Sequence, residues 1–147
     1  MRIAWTTDLQ SKAYHDALKI RHQVFVEEQK VPIEIEIDRL ENETTHLVLY
    51  ENNKAVATAR IYHLADGAYK LQRVAVLKDY RKLGLGARLI SEIEKKIQKL
   101  DGSKMVLGSQ NNAIPFYQKL GFEIIGNEFF DAGIPHHMME KYIIVKA

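Results

Sequence analysis

The chain has 147 residues, of which 46% are hydrophobic and 27% charged, a balance that fits one soluble globular domain over residues 1–147 with a core large enough to fold unaided. Its net charge is only +2 and its Lys and Arg residues are spread along the chain, which argues against the clustered basic face that nucleic-acid binding requires. With no cysteine present, disulfides, thiolate metal sites and a cysteine nucleophile are excluded.

The first residues, Met1 to Asp8, lack the apolar run of a signal peptide, and no segment is long and apolar enough to cross a membrane. A cytoplasmic protein without a membrane partner is therefore expected. Residues 2–7 alternate and read as a first strand. Asp8 is placed to cap a helix in which Tyr14, Ala17, Leu18, Val24 and Phe25 recur at helical spacing to about residue 27. Pro32 ends that region. The stretch Ile33 to Arg39 alternates apolar and charged residues and is open between an edge strand and an irregular loop.

His46–Glu51 and Ala55–Tyr62 read as a β-hairpin, because the Asn52-Asn53 pair tolerates the positive φ of a tight turn. Asp66-Gly67 marks a second turn and Tyr69–Val76 a third strand. A helix follows from about Gly84 to Leu100, with Leu85, Leu89, Ile90, Ile93 and Ile97 forming one buried stripe. Lys104–Gly108 is a short apolar strand suited to the sheet centre. Ala113–Leu120 is a short helix closed by Gly121, which suits a C′ position. Strands at about 122–129 and 137–145 flank the turn-rich Asp131–Pro135. The strand-helix-strand unit from 70 to 108 demands parallel pairing and the hairpins antiparallel pairing. The fold class is α/β: a mixed, largely antiparallel sheet of six to seven strands with helices on both faces.

Most of the chemistry lies between Val76 and the helix at Gly84. Gly84 and Gly86 let the backbone approach a bulky anion, and the first N–H groups of a helix are unsatisfied and lie at its positive end. Arg81 and Lys82 add full charges, and an Arg fork can meet a phosphate with two bonds. A dinucleotide fingerprint needs a third glycine where Leu89 stands, and no G-x-x-x-x-G-K-[ST] run exists.

Arg81-x-x-Gly84-x-Gly86, preceded by Leu71–Val76, resembles the acyl-CoA motif of GCN5-related N-acetyltransferases. Ala113–Phe122 resembles that family's later A-x-x-F-Y-x-x-x-G-F helix. Arg21, Val24–Val26, Glu28, Gln29, Pro32, Glu36 and Asp38, with Gly133–Met138, are similar to its ElaA-like group. The resemblance covers nearly the whole chain.

The resemblance implies acetyl-CoA as co-substrate, with its pantetheine arm paired to the backbone of Val74, Ala75 and Val76. Its pyrophosphate would lie on the N–H groups of Arg81, Lys82, Leu83, Gly84, Leu85 and Gly86. Phe116 and an amide, Gln110 where the family usually has Asn, would complete the CoA contacts; that amide contact stays open among Gln110, Asn111 and Asn112. Tyr117 would protonate the departing thiolate, since a phenol is neutral at pH 7 and donates readily. The Val74 N–H would polarise the thioester carbonyl.

Candidate general bases are Glu28, placed first because its region walls the acceptor site in relatives, then Glu36, Asp38, His46 and the pair His136 and His137. The acidic run from Glu34 to Glu43 offers attraction to a cationic amine or a solvated face. No metal site is expected, since adjacent His136 and His137 on a strand face opposite sides. The acceptor is a small-molecule or peptide amine, and a homodimer through the C-terminal sheet is compatible with the pattern. The competing readings are a catalytically idle acyl-CoA-binding module and a nucleotide-binding protein using the same turn.

Overall fold

The computed structural model describes residues 1–143. Seven strands, β1 (Arg2–Thr6), β2 (Thr45–Glu51), β3 (Lys54–His63), β4 (Ala68–Val76), β5 (Lys104–Gln110), β6 (Glu123–Asp131) and β7 (Ile134–Tyr142), form one sheet in the order β1-β2-β3-β4-β5-β7-β6. Only β4 and β5 pair in parallel; every other neighbouring pair is antiparallel. The helices are α1 (Lys12–Arg21), α2 (Ile33–Glu36), α3 (Leu85–Lys99) and α4 (Ile114–Lys119). The apolar stripe of α3, from Leu85 to Ile97, is buried with Leu49, Leu71, Leu107 and Met139. Each such side chain stabilises the fold by roughly 1.5–3 kcal/mol relative to exposure. On the opposite face Ala17 and Ile20 of α1 pack with Val48, Tyr50 and Ala75.

Asn52 and Asn53 close the β2–β3 hairpin at φ 49° and 65°, the two-residue turn expected of that pair. The last hairpin is tighter than its turn-rich sequence suggests. Ala132 and Gly133, at φ 50° and 76°, suffice to reverse the chain, so β7 starts at Ile134 rather than 137. Residues 144 and 145 of the expected last strand lie outside the described residues.

Three local expectations change. Ser11, not Asp8, caps α1, its side chain accepting from the Tyr14 N–H. After Arg21 the helix widens into a π-helical segment, His22–Glu28. The stretch from Ile33 is neither an edge strand nor an irregular loop. The Pro32 carbonyl accepts from the N–H groups of Ile35 and Glu36 and starts α2. Asp38 then caps a 3-10 turn, Arg39–Glu43, through a reciprocal capping box with Glu41. The alternation is inverted relative to a sheet edge: Ile33, Ile35 and Ile37 are exposed and Glu36 is buried.

Two irregularities of β4 shape everything that follows. Its pairing with β5 runs from Ala68–Lys104 to Leu71–Leu107 and then stops, although both strands continue. On its other side Thr58 pairs with Ala75 but Arg60 with Gln72, so Ala59 faces both Arg73 and Val74. This is a β-bulge, and Arg73 takes φ 55° within it.

Candidate functional site

Where β4 and β5 part, a cleft of about 350 Å³ opens through the sheet. Val74, Gln110 and Tyr117 line it, together with Gln29, Arg73 and His136. Of the site residues named from the sequence, Val74, Gln110 and Tyr117 line this cleft, whereas Glu28, Ala75, Val76, Arg81 to Gly86, Asn111 and Phe116 lie outside its lining.

At the α3 end, a 3-10 turn at Lys78–Tyr80 leads from β4 to Gly84. Lys82 and Gly84 are left-handed, at φ 64° and 80°. A Cβ at Gly84 would touch nothing within 4 Å, so the backbone angle demands the glycine and the space above it is open. A Cβ at Gly86 would instead lie 3.0 Å from the Phe116 ring, so this glycine lets α4 close against the first turn of α3.

The Arg81 N–H donates to the Lys78 carbonyl at 3.3 Å, and the first helical bond runs from Arg88 to Gly84 at 3.0 Å. Between them, the N–H groups of residues 82–87 donate to no main-chain carbonyl among the described residues. Compared with the expected series of Arg81 through Gly86, the open row is displaced by one residue. Leu83 is exposed at its outer side and Leu85 is buried beneath it.

The Arg81 side chain is engaged within the protein. Its Nη1 and Nη2 donate to the two Glu28 carboxylate oxygens at 2.6 and 2.7 Å, and its Nε donates to the Val76 carbonyl at 2.9 Å. The hydrogen bond from Arg81 holds the Glu28 carboxyl below the usual carboxylate range. The fork expected to meet a phosphate therefore grips a carboxylate, and it ties the end of the π-helical segment to the turn.

Tyr117 is 8% exposed and packs edge-on to Phe116 and Phe122. Its hydroxyl makes no hydrogen bond among the described residues. No fully buried polar side-chain atom there lacks a partner, so the hydroxyl opens onto the cleft. Burial pushes its pKa up to about 12, which keeps it protonated at neutral pH. Gln110 spans the cleft, donating to Gln29 at 2.9 Å. Asn111 faces away, accepting from His137 Nδ1 at 2.8 Å.

The wall contributed by residues 14–46 is held by buried charge. Arg21 and Arg60 are each 1% exposed. Arg21 donates to Glu36 Oε1 at 3.0 Å and to Glu41 Oε1 and Oε2 at 2.8 and 2.9 Å. Arg60 reaches Glu41 and Asp38, both at 2.9 Å, and Arg73 reaches Glu36 at 2.6 Å. Three guanidinium groups thus face three carboxylates, a balance that offsets the cost of taking charge out of water. Burial pushes the Glu41 carboxyl up, but the hydrogen bond and charge of Arg21 outweigh it and hold that carboxyl well below the ordinary range. Glu36, Asp38 and Glu41 are therefore neither a solvated face nor free to attract a cationic amine. His46 is buried beside them, with Nε2 3.0 Å from the Glu41 carbonyl.

Sequence reasoning missed Arg73, Gln72 and Lys70 as cleft residues. One signal was available: Gln72 and Arg73 are adjacent polar residues that break the alternation between Leu71 and Val74, at the site of the bulge. Gln29 and Phe129 reach the cleft through long-range folding, and the sequence carries no local sign of it. His136 and His137, named together, fall on opposite faces of β7.

Comparison with known proteins gives one consistent result. The acetyltransferase (GNAT) domain family profile matches residues 9–143. YjcF of Bacillus subtilis, an uncharacterized N-acetyltransferase, is 44% identical over 127 residues, 86% of this chain and 90% of that protein. Escherichia coli ElaA is 30% identical over 142 residues, covering 94% of this chain and 93% of its own. The ElaA crystal structure superposes with a TM-score of 0.81 at 27% identity, over 95% of this chain and 99% of that one. An acyl-CoA N-acyltransferase from Pseudomonas aeruginosa gives a TM-score of 0.84 at 26% identity, over 96% and 99% of the two chains.

Proposed function

The chain belongs to the GNAT acetyltransferase family and is an acyl-CoA-dependent acetyltransferase, and from that premise we propose that it passes the acetyl group of acetyl-CoA directly to a primary amine in a ternary complex, with Tyr117 as general acid. The observation that carries this reading is the Tyr117 hydroxyl, protonated, without a hydrogen-bond partner among the described residues and facing the gap between β4 and β5. Beyond Leu71 the β4 backbone has no partner strand on its β5 side among the described residues, which leaves an edge for the pantetheine arm along Val74, Ala75 and Val76. The open N–H row from Lys82 to Ala87 offers the pyrophosphate a cradle beside Phe116. Val74 lies at the bulge and lines the cleft, where its N–H would polarise the carbonyl.

In this reading the amine nitrogen attacks the thioester carbonyl, the C–S bond breaks, and the thiolate takes the Tyr117 proton. Glu28 orients Arg81 and the turn rather than taking a proton, as its ion pair indicates. The acceptor, a small-molecule or peptide amine, enters from the side of Gln29, Arg73 and His136. A homodimer would use the β6 edge, which exposes Ile124 and Phe130; a monomer mass in sedimentation removes it.

Tyr117→Phe tests the chemistry. Turnover should fall about a hundredfold or more, the usual scale for losing a general acid, while acetyl-CoA affinity by calorimetry stays within about twofold. Unchanged turnover would end the assignment of Tyr117.

A further inference from the structure

An amine that is cationic in neutral water must lose a proton before its nitrogen can attack a carbonyl. Most side chains with the chemistry to take it are already engaged. Glu28 is closed on Arg81. Glu36 is held by Arg21 and Arg73, and Asp38 by Arg60. His46 is bonded to the Glu41 carbonyl behind the cleft wall. His137 is bonded to Asn111 on the other face of β7.

His136 is arranged differently. It is 8% exposed and lines the cleft. Its Nδ1 lies 2.7 Å from the Ile134 carbonyl oxygen, which can only accept, so in the neutral ring Nδ1 carries the proton and Nε2 an open lone pair. The ring is stacked on Phe129 at 5.6 Å, which fixes its plane, and sits across the β5–β7 ladder from Gln110. Nε2 has no partner among the described residues and is not a sealed orphan, so it opens on the cleft. The neighbouring strands set its surroundings. Gln110 and Phe129 beside it are uncharged. The other charged groups lining the cleft are Lys70 and Arg73 of β4, Glu36 of α2 and Asp131 at the end of β6.

Resting on the acyl-transfer reading, we propose that His136 is the general base that deprotonates the acceptor amine at Nε2. One proton passes from the ammonium to Nε2, leaving a neutral amine and an imidazolium whose Nδ1–H bond to Ile134 is kept. The nitrogen lone pair forms the C–N bond, and the C–S bonding pair leaves with sulfur. The thiolate takes the Tyr117 proton, the second proton of the amine returns to the Tyr117 oxygen, and His136 releases its own proton to water. The sum is ammonium plus acetyl-CoA giving amide, free thiol and one proton. Tyr117 belongs to the side of the sheet that carries α4 and His136 to the opposite side, so acid and base approach the gap from two directions.

His136→Asn tests this, because its amide N–H can keep the bond to Ile134 while removing the lone pair at Nε2; His136→Gln is the second variant should the first fail to fold. For an amine that the wild-type protein acetylates, kcat/KM at neutral pH should fall about a hundredfold. The acetyl-CoA Kd should not change. The deficit should shrink as pH rises towards the pKa of the amine, since a neutral amine needs no base. A folded variant with wild-type kcat/KM, or with the same loss at every pH, overturns the proposal. Absence of turnover in the wild-type protein would overturn the acyl-transfer reading and this proposal with it; turnover unaffected by either variant overturns this proposal alone.

Discussion

The α3 turn with the β4 edge and the wall of residues 14–46 are built from different materials. On the first side the features that matter are main-chain: a left-handed Gly84, an open row of N–H groups, and a β4 edge that beyond Leu71 has no partner among the described residues. The opposite wall depends on side chains drawn from distant segments, with Arg21, Arg60 and Arg73 locked to Glu36, Asp38 and Glu41 beneath exposed isoleucines. Backbone donors tolerate changes of side chain, apart from glycines. A charge-balanced cluster tolerates almost none, because removing one member leaves another buried and unpaired.

The largest effect expected from this contrast is on stability. Arg21→Ala leaves Glu36 to Arg73 and Glu41 to Arg60, two carboxylates short of a buried cation, and should cost about 3–5 kcal/mol in a urea titration. A loss below about 1 kcal/mol would mean that the wall rests on apolar packing instead. An intermediate effect falls on binding. Gly84→Val forces a β-branched residue to φ 80° and fills the open space, so acetyl-CoA affinity by calorimetry should drop at least about tenfold while the domain remains folded. Gly86→Val makes a useful partner, since it also collides with Phe116 and should lower the melting temperature more. The smallest effect is expected at Glu28→Gln. Its ion pair with Arg81 is partly exposed, so stability should change by less than about 1 kcal/mol. A loss of turnover there matching that of Tyr117→Phe would give Glu28 a direct role in the chemistry.

The same contrast explains what could be read from the sequence. The turn was legible because its chemistry is local: Arg81, Gly84 and Gly86 stand at the entrance of an apolar helical stripe, and that is what a helix N-terminus with a close backbone approach requires. The hairpins were legible from Asn52-Asn53 and the parallel β4–β5 pair from the helix between them. The wall was not. Ile33, Ile35 and Ile37 alternate with acidic residues as an edge strand does, and what inverts the pattern is Arg21, more than ten residues away. Its one trace in the sequence is position: Tyr14, Ala17, Arg21 and Val24 follow helical spacing, so a charge sits on the buried stripe. The parting of β4 and β5 after Leu71 had no such trace, because it depends on how two strands leave each other rather than on either one. His136 could be named from the sequence, but its tautomer and its open Nε2 depend on the Ile134 carbonyl.

Acyl transfer itself is tested most directly by incubating the protein with acetyl-CoA and a panel of primary amines, reading free thiol and acetylated product together. The expected result is thiol release that requires one class of amine, with one acetylated amine formed per thiol. Tight binding of acetyl-CoA with no thiol released above buffer for any amine would contradict it and leave an idle acyl-CoA-binding module in its place.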